Sequence, residues 1–337
     1  MVSKVFFIDG GDYTGNSEKC FRLISEKFSG SVALKTHFGE EKNTTHINPE
    51  WITSLGTYFK NPVFVDCNVL YRGMRTRRTD HVELAKRHGF GFLPIDILDG
   101  EMGEEELEVP VNLGTTKNAR LGAGIERYGN WVALTHFKGH IATGFGGCIK
   151  NVGMGLGSRA GKLDMHSVVS PVVRQEKCVA CGKCVADCPA DAISINGKAK
   201  IDSDKCIGCA HCIAVCPNSA IDIPWEMLDN TNNALMERIC EYAYAALRGR
   251  KWWFMNYMVN ITYDCDCMNI AQKPFMKDVG IVLSEDIVAA DQASYDLISE
   301  VVGYDPFKKK FGVDGAYQLE YGEKIGLGSR KYVLERL

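Results

Sequence analysis

The run C-x2-C-x2-C-x3-C-P occurs twice in this chain. It is first built from Cys178, Cys181, Cys184, Cys188 and Pro189, then from Cys206, Cys209, Cys212, Cys216 and Pro217. No other feature limits so tightly what these residues can fold around. Thiolates at i, i+3 and i+6 suit three irons of one [4Fe–4S] cube, and the Cys that precedes Pro ligates the other cube where two are present. The spacing predicts a crossed set, with Cys178, Cys181, Cys184 and Cys216 on one cluster and Cys206, Cys209, Cys212 and Cys188 on the second. A zinc site requires only four ligands and no such repeat, and a disulfide framework belongs to secreted chains. The segments CPADAISI and CPNSAIDI repeat each other. Residues 175–224 are therefore expected to form a small α+β, ferredoxin-like 2[4Fe–4S] module with pseudo-two-fold symmetry. Ile193, Ile195, Ala220, Ile221 and Ile223 would wrap it.

The module accounts for a small part of 337 residues, and the remainder is long enough for one large domain or two ordinary ones. Hydrophobic content of 45% and charged content of 24% are those of a globular chain. A net charge of −3 leaves no footprint for nucleic acid or an anionic membrane. No apolar stretch approaches the length of a membrane span, and the amino-terminal run is too short for a signal sequence. With eight of fourteen Cys committed to iron, a reducing cytoplasm is expected. Cys20, Cys67, Cys148, Cys240, Cys265 and Cys267 are then expected to be thiols.

Strand-like runs at 5–8, 31–36, 63–67, 92–97 and 131–136 alternate with helix-like stretches at 18–28 and 80–88. Further helices are expected at 233–247 and 284–301, and a further strand at 254–263. This alternation predicts an α/β layered domain with a mostly parallel sheet. Its first part would be 1–174, interrupted by the module at 175–224 and completed by 225–337. Two separate domains flanking the module are the alternative.

Candidate chemistry lies at expected strand ends, where open α/β sheets bind ligands. His136, Lys138 and His140 precede a glycine-rich turn, Thr143–Gly147, whose N–H groups could face an anion, and Lys150 follows near a helix start. His37 and Glu40, in KTHFGE, end another strand beside Lys35. Two such ends rich in Lys and His suggest one pocket, although each taken alone also fits a polar loop. The run YRGMRTRR at 71–78 is either an Arg clamp for an anion or a solvated loop. Cys265 and Cys267 in DCDC lie about 6.6 Å apart along an extended strand, too far for one zinc unless the chain bends. Gly153-x-Gly155-x-Gly157 is no dinucleotide fingerprint. A further metal, for which His136 and His140 could be ligands, or a flavin is compatible with the sequence, but no motif supports either.

KTHFGE, DCNVLYRGMRT, HFKGHIATGFGGCIKNVGMG, the two cysteine runs, DCDC and DVGIVLSEDIVAADQASYDLI follow one another in this order. In this the chain closely resembles the ferredoxin-containing branch of the "domain of unknown function three-six-two" family. The resemblance implies an α/β protein with an inserted ferredoxin module and supplies no reaction. On the residues, the expected function is an iron–sulfur oxidoreductase passing low-potential electrons to a small anionic substrate or cofactor. A soluble protein would act as electron donor or acceptor. In this reading His136 and His140 handle protons, Lys138 and Lys150 hold the anion, and His37 and Glu40 complete the pocket. The alternatives are a non-enzymatic carrier or maturation factor that docks a protein partner, and clusters that only staple the fold.

Overall fold

The computed structural model describes residues 2–166, 170–224 and 233–337. Eight strands form the main sheet: β1 (Ser3–Asp9), β2 (Val32–Lys35), β3 (Pro62–Asp66), β4 (Ile95–Ile97), β5 (Asn130–His136), β6 (Lys251–Met258), β7 (Gly280–Ser284) and β8 (Tyr332–Arg336). Their order is β8-β1-β7-β6-β5-β2-β3-β4. Only β7 runs against its neighbours β1 and β6; the other pairings are parallel. The protein is thus an α/β fold with a large, mostly parallel sheet, and strands from both sides of the cysteine-rich segment share it.

Strands covered on both faces need apolar residues at successive positions, and WVALTH in β5 is buried throughout. Its side chains alternate between two cores. Trp131 and Ala133 join one with Val152, Leu156, Ile239 and Ala243 from the helices Cys148–Leu156 and Ala234–Leu247. Val132 and Leu134 join the other with Phe21, Phe64 and Phe90.

The expected strand at 254–263 is instead 251–258, and the chain turns at Asn260, whose φ is 50°. The expected 92–97 strand shrinks to three residues. The apolar run 280–284 forms β7, and the helix after it begins at Ile287, where Asp286 accepts from the N–H groups of Val288 and Ala289. A hairpin of Glu106–Leu113 and Thr116–Gly122 also forms that no periodicity announced.

Between β5 and β6, Val172–Val173 pairs antiparallel with Ile221–Asp222, and Ile193–Asn196 pairs with Lys198–Ile201. Short helices span Lys183–Ala186 and His211–Val215. Ile193, Ile213, Ala220, Ile221 and Ile223 pack with Leu70 and Leu163 of the larger layer, whereas Ile195 stays exposed. The expected junction at 224/225 runs into residues outside those described.

The glycines at 153 and 155 serve packing. A Cβ on Gly153 would strike the Ile239 carbonyl oxygen, and one on Gly155 would lie 2.6 Å from Lys35 Nζ. Because a helix backbone atom cannot swing aside, Gly153→Ala is expected to destabilise the fold by about 1–3 kcal/mol through overpacking. The check is the midpoint of denaturant unfolding; an unchanged midpoint would mean that the two helices separate freely.

Candidate functional site at the carboxyl edge of the sheet

Strands β2, β3 and β5 are parallel neighbours or near neighbours, so their last residues, Lys35, Asp66 and His136, emerge along one edge. Lys35 Nζ lies 3.0 Å from Asp66 Oδ1 and donates to Asn151 Oδ1 at 2.8 Å. Arg75 reaches the other carboxylate oxygen of Asp66 at 2.7 Å. Its remaining nitrogens meet Glu40 Oε1 (2.8 Å), His37 Nε2 (2.6 Å) and His81 Nε2 (3.0 Å). Tyr71 OH donates to Glu40 at 2.9 Å. Arg75 is only 2% exposed, so this part of the basic run is no solvated loop.

A second group centres on Asp266, which is fully buried. His136 Nδ1 lies 2.8 Å from Asp266 Oδ2, and Lys138 Nζ lies 3.5 Å from the same oxygen. Asn43 Nδ2 and Thr45 Oγ1 donate to Oδ1 at 3.2 and 3.1 Å. His136 Nε2 is buried and has no partner among the described residues. The main strand ends at His136, and Lys138–His140 pairs instead with Gly144–Gly146. Gly139 is required there because a Cβ would meet the Tyr263 carbonyl, and its N–H donates to Thr262 O at 2.8 Å.

The third group is His140, Lys150, Cys265 and Cys267. DCDC is bent and not extended, and a ligand atom from each of His140, Cys265 and Cys267 lies within 4.8 Å of the others. Lys150 Nζ donates to Cys265 Sγ at 3.5 Å. All six residues singled out for catalysis, His136, Lys138, His140, His37, Glu40 and Lys150, therefore stand on this one edge. Glu40 is engaged by Arg75 and Tyr71.

Burial governs the protonation of this edge. It lowers His37 and His140 well below the ordinary histidine value, helped by Arg75 and Lys150 respectively. Burial also lowers Lys35, against the pull of Asp66, and raises Glu40. For Asp66 burial opposes the charge, but Lys35 and then Arg75 prevail and bring it down to about 2. Asp266 falls well below the carboxylate range because His136 and Lys138 outweigh its burial. A hydrogen bond from Cys267 lowers the Cys265 thiol and raises that of Cys267.

The N–H groups expected to face an anion after the glycine-rich turn already have one. Cys148 N and Ile149 N donate to Asp291 at 2.7 and 2.9 Å, so a side chain from the helix Ile287–Val302 occupies this helix start. Asp66, Asp291, His81, Asn43 and Thr45 belong to this edge but are not among the candidates named from the sequence, and Asp266 enters the sequence reading only as part of DCDC. For Asp66 the signal was a carboxylate ending an apolar strand, VFVD. Asp291 sits 143 positions from Cys148 and gave none.

The eight cysteines of the repeated run stand apart from this edge. A cavity is lined by Cys178, Cys181, Cys184 and Cys216 with apolar neighbours such as Ile195 and Ile221. Another is lined by Cys188, Cys206, Cys209 and Cys212. Backbone N–H groups donate to sulfur: Ala199 to Cys178, Ala220 to Cys216 and Ala192 to Cys188, at 3.1–3.4 Å. Left-handed backbone recurs at equal offsets in the two halves, at Ala180 and Gly208, Gly182 and Ala210, and Asp191 and Ser219. None of the fourteen cysteines is paired in a disulfide. The thiols of Cys20 and Cys148 are pushed up by burial, Cys20 to about 12, as suits packing. No described helix is long and apolar enough to cross a membrane.

The family model described as "Domain of unknown function (DUF362)" matches residues 32–296. No curated protein matches the chain significantly. Among solved structures, the lactate racemase apoprotein from Thermoanaerobacterium thermosaccharolyticum is similar at 11% identity with a TM-score of 0.48. The alignment covers 89% of this chain and 57% of that one, a likeness too slight to carry any argument about chemistry.

Asp66 serves two buried cations, so Asp66→Asn is expected to cost about 3–5 kcal/mol, the usual effect of removing one partner from a buried pair. Its carboxyl ordinarily titrates at 3.8 and is held at about 2 in the folded chain. The stability it contributes is thus complete above about pH 4 and lost as pH falls toward 2. Denaturant unfolding across pH 2–5 checks both; in Asp66→Asn the acid loss should shrink, and an unaltered profile would remove Asp66 from this role.

Proposed function

The chain belongs to the DUF362 family, and since that family is defined without a reaction, we propose one from the residues. The two thiol-lined cavities each hold a [4Fe–4S] cluster, and electrons received there reduce a small anionic substrate at the carboxyl edge of the sheet. What carries the proposal is the loop that joins the two places. Arg72 donates to the carbonyls of Cys216 (3.3 Å) and Pro217 and to Ser219 Oγ (2.9 Å), while Tyr71 and Arg75 of the same loop hold Glu40 and Asp66.

The cavities fit such groups by their donor sets. Each presents four sulfurs among mainly apolar side chains, and N–H groups point at Cys178, Cys188 and Cys216. Non-glycine residues held in the left-handed region beside the sulfurs, such as Ala180 and Ala210, are a form of strain that collects at functional loops. When bound, such clusters supply single electrons at potentials set by hydrogen bonding and burial. That is the whole of their contribution.

The rest of the chemistry belongs to side chains. Lys138 and Lys150 supply positive charge for an anion. Among the described residues no carboxylate lies within ion-pair distance of Lys150. His136 is oriented through Nδ1 by Asp266, which leaves Nε2 to exchange a proton with substrate. His140 and His37, kept neutral by burial and nearby cations, accept protons poorly and act as hydrogen-bonding groups. Glu40 acts by holding Arg75 and Tyr71, a positioning role narrower than direct contact with substrate. The burial of Asp66, Glu40 and Arg75 excludes water behind the site.

Anaerobically prepared protein is expected to contain about eight irons and eight sulfides per chain. Cys184→Ala should lose about half the iron, since it removes a ligand of one cavity only. His136→Ala should keep all the iron and its visible absorbance. It should also lose at least tenfold in the rate at which dithionite-reduced protein is reoxidised by a panel of small reducible anions, such as 2-oxo acids and α,β-unsaturated carboxylates. Reoxidation only by protein acceptors would replace the reductase with a carrier. Failure of dithionite to bleach the visible absorbance would leave the clusters a purely structural role.

A further inference from the structure

We infer that Cys265, Cys267 and His140 form a mononuclear site for a zinc-type divalent cation, separate from the two cysteine-lined cavities and open toward the carboxyl edge. Two thiolates and an imidazole are a borderline-soft set that suits tetrahedral zinc, and three protein ligands leave a fourth position for water or substrate. Zinc–sulfur bonds of about 2.3 Å and zinc–nitrogen bonds of about 2.0 Å put the ligand atoms about 3.5–3.8 Å apart. Here they lie within 4.8 Å of one another, so each pair has to close by no more than about 1.3 Å to reach bonding distance.

The surroundings are built for ligation. Asp266, between the two cysteines, is pinned by His136, Asn43 and Thr45, and this fixes the backbone on both sides of it. Cys265 Sγ accepts from Lys150 Nζ at 3.5 Å and from the Cys267 N–H at 3.4 Å, contacts that stabilise a metal-bound thiolate. Thr143 Oγ1 lies 3.0 Å from His140 Nδ1 and donates its own proton to Phe145 O at 2.8 Å. It can therefore accept from Nδ1–H, which leaves the lone pair on Nε2. The Ala142 N–H donates to Nδ1 at 3.3 Å in the metal-free chain, so binding at Nε2 moves the ring proton to Nδ1, where Thr143 Oγ1 accepts it. Loading the site with Zn2+ releases the thiol protons of Cys265 and Cys267 to solvent, and no electrons are exchanged.

The full chain, prepared anaerobically with its iron retained, would be incubated with zinc sulfate, desalted, and read by elemental analysis and zinc K-edge absorption. The expected result is one tightly held zinc per chain with two sulfur neighbours at about 2.3 Å and a nitrogen at about 2.0 Å. The double variant Cys265→Ser/Cys267→Ser should bind at least tenfold less zinc while keeping its iron, which shows that it has folded. Cys184→Ala should keep the zinc while losing iron, so the result stands whether or not the electron-transfer reading does. Should the double variant not fold, His140→Ala takes its place, and its spectrum should lose the imidazole nitrogen. The inference is overturned if no zinc is held, if the zinc has four sulfur neighbours and survives in the double variant, or if peptide mapping finds Cys265 and Cys267 joined as a disulfide.

Discussion

Lys35 and Arg75 carry two positive charges into a region with almost no solvent, and both lean on Asp66. Each of these ions would be costly to bury alone, and the attraction among them offsets that cost only while every oxygen and nitrogen is matched. The matching is extensive. Asn151 takes one proton of Lys35, while Glu40, His37 and His81 meet the rest of the guanidinium. The network thereby fastens the ends of β2 and β3 to the loop at 71–76 and to the helix Cys148–Leu156. Gly155 belongs to the same constraint, since only a residue without a Cβ leaves room for the Lys35 ammonium.

From that anchor the edge of the sheet acquires a gradient of commitment. Around Asp66 the carboxylates and cations are paired with one another, which makes that end structural, although His81 Nδ1 is buried there without a partner among the described residues. Around Asp266 one buried nitrogen, His136 Nε2, is left over. Around Cys265 and Cys267 the donors converge on sulfur, and Lys150 has no carboxylate beside it among the described residues. The loop that closes the rigid end also reaches the backbone at Cys216–Pro217 through Arg72. Charge pairing, the candidate pocket and the thiol-lined cavities thus share one short stretch of chain.

Much of this was readable from the residues because it depends on local pattern. The β5 run WVALTH, the strand ends at Lys35 and His136 and the equal spacing of the two cysteine runs are all short-range features. What stayed hidden involves partners far apart along the chain. Asp291 fills the helix start at Cys148 that looked open to an anion. For Arg75 the sequence leaves an anion clamp and a solvated loop equally open, and the partners that hold it, Asp66 and Glu40, lie on other strand ends. The antiparallel β7 has no counterpart among the expected strands, because a five-residue apolar run has no period long enough to separate strand from helix.

The two sulfurs of DCDC mark the dividing line. By itself the sequence determined that Cys265 and Cys267 are two residues apart, that eight other cysteines repeat with one spacing, and that apolar runs alternate as in a layered α/β fold. Those facts follow from bond geometry and from the periods of strand and helix. Only the tertiary structure decided that the chain bends at Cys265, that His140 from the other side of the edge meets it, and that Lys150 points at its sulfur. A bend of this kind is held by the burial of Asp266 against His136, Asn43 and Thr45, and pairings over 130 to 223 positions exist only once the sheet has brought its strand ends together.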